Sequence, residues 1–386
     1  MSKKKPAKAK QTYTDLNSLK DTIEKEFGSG SIMLGRSSIV NVDVFSTGVA
    51  SIDMALGCGG LPQGRIIELY GPESGGKTTT CLQFIAACQK HNFENKGRTG
   101  VAAFIDAEHA LDPEWAEKVG VDMDRLILAQ PDSGEQALTI AERFIDSGLI
   151  DLIVIDSVAA LIPKAVLDGE VGDSTMAALA QLMSKGTGRL KGKCNATKTT
   201  VIFINQIREK VGVMFGSPEV TPGGRALKFY ASVRAEVRKG QPIKDGDVVV
   251  GFRPTIKMVK NKVAAPFRVG EYDICVGTPQ RPICGIDTIA SLFDVAVAQQ
   301  LVTRKGSFFT YGDASLGNGT ANAVKTLRES ERWVNEIKSK IYSGIASNLV
   351  TVADIDDTDS FDESDESDEF DDSSSNLADE TTISED

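Results

Sequence analysis

The stretch Gly71-Pro72-Glu73-Ser74-Gly75-Gly76-Lys77-Thr78 carries the residue types that a phosphate-binding loop needs. It meets the pattern G-x-x-x-x-G-K-T between RIIELY, a strand by its composition, and TTCLQFIAACQ, a helix. Glycines let the backbone curl until its N–H groups converge on phosphate oxygens, beside the positive end of the helix. Lys77 then brings a point charge to the β- and γ-phosphates, and Thr78 offers its hydroxyl to Mg²⁺. A chance glycine-rich turn is the bland alternative, and the correctly placed strand and helix count against it. The chemistry expected is that of an ATP site, with ATP and Mg²⁺ as cofactors.

The other parts of such a site belong just beyond strand C-terminal ends, where α/β sheets bind ligands. DLIVIDS ends in Asp156, suited to anchor the magnesium together with Thr78. VAAFIDAEHALD puts Asp106 and Glu108 past a second strand, and Glu108 is suited to polarise the attacking water as general base. Helix capping or a surface ion pair would account for either acid as well. TVIFINQ brings Gln206 to a third strand end, where an amide can sense the γ-phosphate. Taken alone, such a glutamine is more often a turn residue.

Four short apolar strands interleaved with amphipathic helices imply a sheet covered on both faces. The fold class expected is α/β: a P-loop NTPase core with a mostly parallel twisted sheet, an N-terminal helix and a small C-terminal α/β domain. Residues 14–27 predict the N-terminal helix, with Asp15 as cap, an apolar stripe of Leu16, Leu19, Ile23 and Phe27, and Gly28 as stop. That stripe has no core partner nearby in sequence, so it docks on the main domain or on a neighbouring subunit. From about 283 to 345 the pattern predicts a helix, short strands and one helix around Ala321–Tyr342. The divisions expected are 1–44 for a basic arm and protomer-linking helix, 45–282 for the ATPase core, 283–352 for the small domain, and 353–386 for an acidic tail.

Composition sets the outer bounds. The 386 residues are 41% hydrophobic and 25% charged, as in an ordinary globular protein. No apolar run approaches the roughly 20 residues of a membrane helix. The opening SKKKPAKAK lacks the apolar stretch of a secretory signal, so no membrane association and a cytoplasmic location are expected. Six cysteines without a CxxC pair, and only two histidines, argue against zinc and suit a reducing compartment. Cys81 and Cys88, seven apart in a helix, are expected as small core residues. The net charge of −11 is concentrated: residues 353–386 hold 16 acidic and no basic side chains. Without them, 43 Lys and Arg face 38 Asp and Glu, and five of those lysines lie in the first ten residues. The body is near neutral, so the acidic pI does not exclude nucleic acid. The tail cannot bury enough apolar surface to fold. It is either a solubiliser or an electrostatic mimic of DNA.

Several long segments together carry a resemblance. GPESGGKT, FIDAEHALDP, VIDSVAALIPKAVLDGEVGD, FINQIREKVGVMFGSPEVTPGGRALKFYASVR and VKNKVAAPF occur in this order and closely resemble segments of the bacterial RecA family of recombinases. The resemblance runs from about Asp15 to Tyr342. It implies a DNA-dependent ATPase that forms a helical filament on single-stranded DNA and accepts double-stranded DNA for strand exchange. An SOS-type repressor is implied as a further partner. By the same resemblance Gly71–Thr78 holds the triphosphate, Glu108 activates water, and Gln206 couples the γ-phosphate to DNA. Asp112 and Trp115 match the adenine contact, where Trp115 keeps an aromatic face. Lys260 and Lys262 match lysines that reach the neighbouring subunit's nucleotide.

Two segments resemble the DNA-binding loops. One is Gly169–Met176, with Gly172 within it; the other is Arg208–Gly224. Val211, Val213, Met214 and Phe215 make little sense in a solvated loop but can separate stacked bases. Arg208, Arg225 and the backbone of Gly223 and Gly224 are placed to meet phosphates without reading sequence. There are departures from the family pattern. Gly75 replaces a usual serine, Gln181 and Gly188 replace arginines, and Val276 replaces a tyrosine near the nucleotide. Lys185, Arg189 and Lys193 lie close enough to Gln181 and Gly188 to compensate. A hexameric motor on the same core, or an ATP-switched scaffold without strand exchange, are the alternative readings.

Overall fold

The computed structural model describes residues 15–27, 42–169, 175–209, 219–279 and 281–351. An eight-stranded sheet runs through the larger part. Its strands are β1 (Ile66–Gly71), β2 (Ala102–Asp106), β3 (Leu126–Ala129), β4 (Leu152–Asp156), β5 (Thr200–Gln206), β6 (Val233–Arg238), β7 (Thr255–Asn261) and β8 (Val269–Glu271). The spatial order is β8-β7-β6-β1-β5-β4-β2-β3. From β6 to β3 every neighbouring pair is parallel, whereas β7 and β8 join antiparallel at one edge.

The four apolar runs expected as strands are β1, β2, β4 and β5, and they occupy adjacent places in the middle. Burial on both faces is what permits a continuous apolar run. β7 instead reads TIKMVKN, with Ile256 and Met258 buried and Lys257 exposed between them, the alternation of a strand nearer an edge. Period-two alternation divides the central strands between two cores. Leu69, Phe104, Val154 and Ile202 face Leu82 and Ile85 of α3 (Lys77–Lys90), where Cys81 and Cys88 are also fully buried. Ile105, Ile153, Ile155 and Phe203 face α5 (Gly134–Ser147) and α7 (Thr175–Thr197). The two cysteines are core residues, as their spacing predicts.

Helix α1 (Leu16–Phe27) starts at a reciprocal cap: Ser18 N–H donates to Asp15 Oδ1 at 2.8 Å, and Asp15 N–H to Ser18 Oγ at 3.3 Å. The C-terminal unit comprises α9 (Thr288–Ala298), a three-stranded antiparallel sheet over residues 303–318, α10 (Thr320–Arg328) and α11 (Glu331–Thr351). The single helix expected at Ala321–Tyr342 is therefore two. Ser330 interrupts it by capping a new start, its Oγ accepting from Trp333 N–H at 3.4 Å.

This unit is seated on α2 (Ala50–Leu56). Ala50 belongs to the same apolar cluster as Phe293, Phe309, Leu316, Leu327, Ile337 and Ile341. Tyr342 donates to Asp53 Oδ2 at 2.5 Å, and Ser51 N–H donates to Ser291 Oγ at 3.0 Å. Burial raises the Asp53 carboxyl to about 6, against the pull of its donors Ser46, Tyr342 and Thr47. An ion cluster closes the other side. Asp287 accepts from Arg281 at 2.8 Å and Arg328 at 2.7 Å, while Asp273 accepts from Arg253 at 2.7 Å and Arg281 at 3.0 Å.

Candidate active site

The loop between β1 and α3 takes the path that its glycines allow. A Cβ on Gly71 would stand 1.9 Å from the Val237 carbonyl oxygen on β6, so only glycine fits. Gly76 has φ 91°, and a Cβ there would meet Ile274 at 2.5 Å. Gly75 is under no such demand: a Cβ would lie 3.2 Å from the Pro72 carbonyl oxygen, so a serine needs only a small shift. The departure at Gly75 leaves the cradle intact. No side chain caps the start of α3 at Gly76, which leaves its first-turn N–H groups for a ligand. Lys77 Nζ donates to the carbonyls of Gly71 at 2.9 Å and Pro72 at 2.6 Å, across the loop it follows. Burial lowers the ammonium's pKa, while Asp156, Glu108 and Glu73 pull it back up.

The register brings the remaining groups to the same end of the sheet, with Gly71 opposite Gln206 and Asp106 opposite Asp156. Thr78 Oγ1 donates to Asp156 Oδ2 at 2.7 Å. Burial lifts the Asp156 carboxyl to about 6; the Thr78 bond opposes this, and the charges of Glu108 and Asp106 add to it. The two acids beyond β2 have different tasks. Asp106 is buried and accepts from Ala110 N–H at 3.1 Å, Leu111 N–H at 3.2 Å and Gln130 Nε2 at 3.3 Å, so it holds the turn. Glu108 is exposed, and its Oε1 accepts from Gln206 Nε2 at 3.1 Å and from Ser157 Oγ. Gln206 Oε1 is buried with no partner among the described residues. Sequence reasoning missed Ser157; its only signal is the hydroxyl directly after Asp156 in DLIVIDS.

Asp112 caps α4 (Pro113–Val119), its Oδ1 accepting from Trp115 N–H at 3.1 Å. The Trp115 indole N–H donates to Thr79 Oγ1 at 3.2 Å, which ties the ring to the first turn of α3. A strand–loop–helix cradle, a lysine across it and acids at adjacent strand ends are thus assembled in one place. Two family models match the chain: RecA N-terminal domain over residues 14–279 and RecA C-terminal domain over 290–346. Protein RecA of Clostridium novyi is 53% identical over 320 residues, covering 83% of this chain and 88% of that protein. Protein RecA of Clostridioides difficile is 52% identical over 327 residues, 84% of this chain and 90% of that protein. Protein RecA of Thermus aquaticus is also 52% identical over 327 residues, 84% and 92% respectively. The chain belongs to the RecA family.

It is accordingly a recombinase of the RecA type, a DNA-dependent ATPase that acts in recombination and repair. ATP is its nucleotide, and single- and double-stranded DNA and further copies of itself are its partners. No helix among the described residues is long and apolar enough to cross a membrane.

The residues matched to the DNA loops of RecA fare unevenly. Gly172, Val211, Met214 and Phe215 lie outside the described residues, as does the Met176 side chain on α7. Gly169 closes the short helix α6 (Lys164–Leu167) with its N–H on the Val166 carbonyl at 3.4 Å. The segment expected as one irregular loop begins in a short ladder, where Arg208–Glu209 pairs antiparallel with Glu219–Val220, and residues 221–224 follow it. Arg208 lies 3.9 Å from Glu73 of the phosphate loop. Gly223 and Gly224 have φ of 87° and 69°, and added Cβ atoms would meet Val158 at 2.9 Å and Ala180 at 2.8 Å. Their lack of side chains is a packing need. Arg225 is exposed.

The departures also find places. A Cβ on Gly188 would stand 3.2 Å from the Tyr230 hydroxyl, so an arginine there requires that ring to move. Arg189 and Lys193 both pair with Glu142 on α5, at 2.6 and 2.9 Å. Lys185 is exposed. Val276 is half exposed, at 50%.

Lys260 and Lys262 lie at the other end of the sheet. Asn261 sits opposite Val233, and Val233 opposite Ile67, four residues upstream of Gly71 and roughly 13 Å along the strand. Lys260 Nζ folds onto the carbonyls of Lys228 and Phe229 on α8 (Ala226–Tyr230). Its pKa is lowered by burial first, then by Lys262, Arg234 and Lys191.

Proposed function

We propose that Gly71, Pro72, Glu73, Ser74, Gly75, Gly76, Lys77 and Thr78 hold the triphosphate of ATP, with Glu108 as general base and Gln206 as the γ-phosphate sensor. The observation that carries this reading is the meeting of Gln206 Nε2 and Ser157 Oγ on one oxygen of Glu108, beside the Lys77 cradle. The donor set also fits Mg²⁺. A hydroxyl and a carboxylate 2.7 Å apart offer hard oxygens, and Mg²⁺ needs only one or two such protein ligands beside phosphates and water. Thr78 and Asp156 would hold the ion, which supplies charge neutralisation on the phosphates when bound. Trp115 and Asp112 would border the adenine.

Hydrolysis then removes the γ-phosphate that Gln206 senses, and the Arg208–Gly224 segment that follows the same strand loses its hold on DNA. Gly169, Gly172, Met176, Arg208, Val211, Met214, Phe215, Gly223, Gly224 and Arg225 would line the DNA path of the filament. Lys260 and Lys262, remote from their own phosphate loop, would complete the ATP site of a neighbour. We assign 1–44 to the protomer-linking arm, 45–282 to the core, 283–352 to the small domain and 353–386 to the tail. An SOS-type repressor is a further partner of the filament. The cytoplasm is the setting inferred, where six unbridged cysteines stay reduced.

ATP turnover measured with and without single-stranded DNA, with negative-stain images of the same samples, tests this reading. Turnover is expected to rise with DNA as filaments appear. DNA-independent turnover by discrete rings would favour the motor reading. Truncation after Val352 removes the 16 acidic residues and is expected to speed engagement of duplex DNA, most of all at low salt. Identical duplex binding by both chains across a salt series would leave the tail only a solubilising task.

A further inference from the structure

Glu108 receives both of its side-chain donors, Ser157 Oγ and Gln206 Nε2, on Oε1. Oε2 has no such donor among the described residues, and the side chain is exposed to water. The two donors differ in how firmly they are held. Gln206 stands at the open end of β5, and the reading above sends its amide to the γ-phosphate. An amide that turns to the phosphate leaves Oε1.

Ser157 has no such freedom. It is 1% exposed and follows Asp156 directly at the end of β4, and its carbonyl accepts from Ala160 N–H at 3.1 Å. The Asp156 carbonyl in turn accepts from Ala107 N–H at 2.8 Å and Glu108 N–H at 3.3 Å. One rigid turn therefore fixes the Glu108 backbone through Asp156 and its carboxylate through Ser157.

We propose that Ser157 is the positioning residue of the hydrolytic step: it holds Glu108 Oε1 so that Oε2 stays aimed at the attacking water once Gln206 has left for the γ-phosphate. This rests on the assignment of Glu108 as base. In that step the water oxygen bonds to the γ-phosphorus and its proton passes to Oε2. The bond from the γ-phosphorus to the β-phosphate bridging oxygen breaks, giving ADP and phosphate. Ser157 gives up no proton in the balance. It restricts a side chain that otherwise samples several rotamers, and the loss falls on turnover, not on nucleotide affinity.

The test uses the full chain on saturating single-stranded DNA, with kcat and KM for ATP measured separately. Ser157→Ala is expected to lower kcat roughly ten-fold, the scale of one charge-assisted hydrogen bond, with KM within about two-fold. Ser157→Thr, which keeps the hydroxyl, is expected to restore most of kcat. In a Glu108→Gln background, Ser157→Ala should cost little more, because both changes act through one carboxylate. If Glu108→Gln is inactive while Ser157→Ala keeps the parental kcat, the positioning inference falls and the base assignment stands. If Glu108→Gln itself turns over normally, the base assignment falls first. A rise in KM that matches the fall in kcat/KM would make Ser157 a binding residue and overturn the proposal. Should Ser157→Thr fail to fold in its buried place, the alanine variant and the double-variant comparison still decide.

Discussion

Replacing Glu108 with glutamine is expected to lower DNA-stimulated ATP hydrolysis by about 10²–10⁴-fold, the usual range for a lost general base. Glutamine keeps the shape and still accepts from Ser157 and Gln206 at its amide oxygen, so the site assembles but takes no proton from water. ATP binding should survive and the DNA complex should last longer, because the γ-phosphate stays in place. Lys77→Ala separates the two functions from the other side. It removes the charge that now rests on the Gly71 and Pro72 carbonyls, so both binding and turnover should fail. Single-turnover hydrolysis, nucleotide affinity and the DNA dissociation rate read all three quantities. Parental hydrolysis by Glu108→Gln would show that another group activates the water.

The second large effect concerns two subunits that fail separately. A Lys77→Ala chain cannot use its own ATP but still offers Lys260 and Lys262. A Lys260→Ala, Lys262→Ala chain has the reverse defect. Each alone is expected to be inactive, yet an equal mixture should regain turnover at up to about a quarter of head-to-tail interfaces if the chains pair at random. The strand register gives the reason. The two lysines flank Asn261, which is level with Ile67 near the start of β1 and two strands away, too far to serve their own loop. Lys260, already crowded by Lys262, Arg234 and Lys191, has its ammonium destabilised where it now sits. Phosphate oxygens from a neighbour would relieve that crowding. Co-assembly is confirmed first by labelling both chains. Confirmed mixed filaments that stay inactive, or a fully active double-alanine chain, would make the lysines ordinary surface charges.

The centre of the fold was legible because its physics is local. Strands buried on both faces must be short apolar runs, and β1, β2, β4 and β5 are such runs. β6 and β8 escaped notice because they mix charges with apolar residues, and β3 because it is only four residues long. The phosphate loop was legible down to Thr78, since its spacing follows from backbone curvature. The division between Asp106 and Glu108 was not. Which acid caps a turn and which faces the site depends on Gln130, Ser157 and Gln206, and these contacts span 24, 49 and 98 residues. The break at Ser330 was hidden for a different reason: serine is tolerated inside a helix and starts one equally well.

Family models divide this chain between residues 279 and 290, as if two parts had been joined end to end. The packing draws no line there. Ala50, from early in the chain, is built into the apolar interior of the C-terminal unit, and α11 returns Tyr342 to the Asp53 carboxylate beside it. Arg281, before the second model begins, shares Asp287 with Arg328 within it. A fragment cut out along the model boundary would carry an open apolar patch where α2 belongs, and Arg328 without the Asp287 carboxylate it pairs with. The small unit is an independent paragraph in the sequence but a dependent clause in the fold. It can be exchanged between relatives only together with the helix on which it sits.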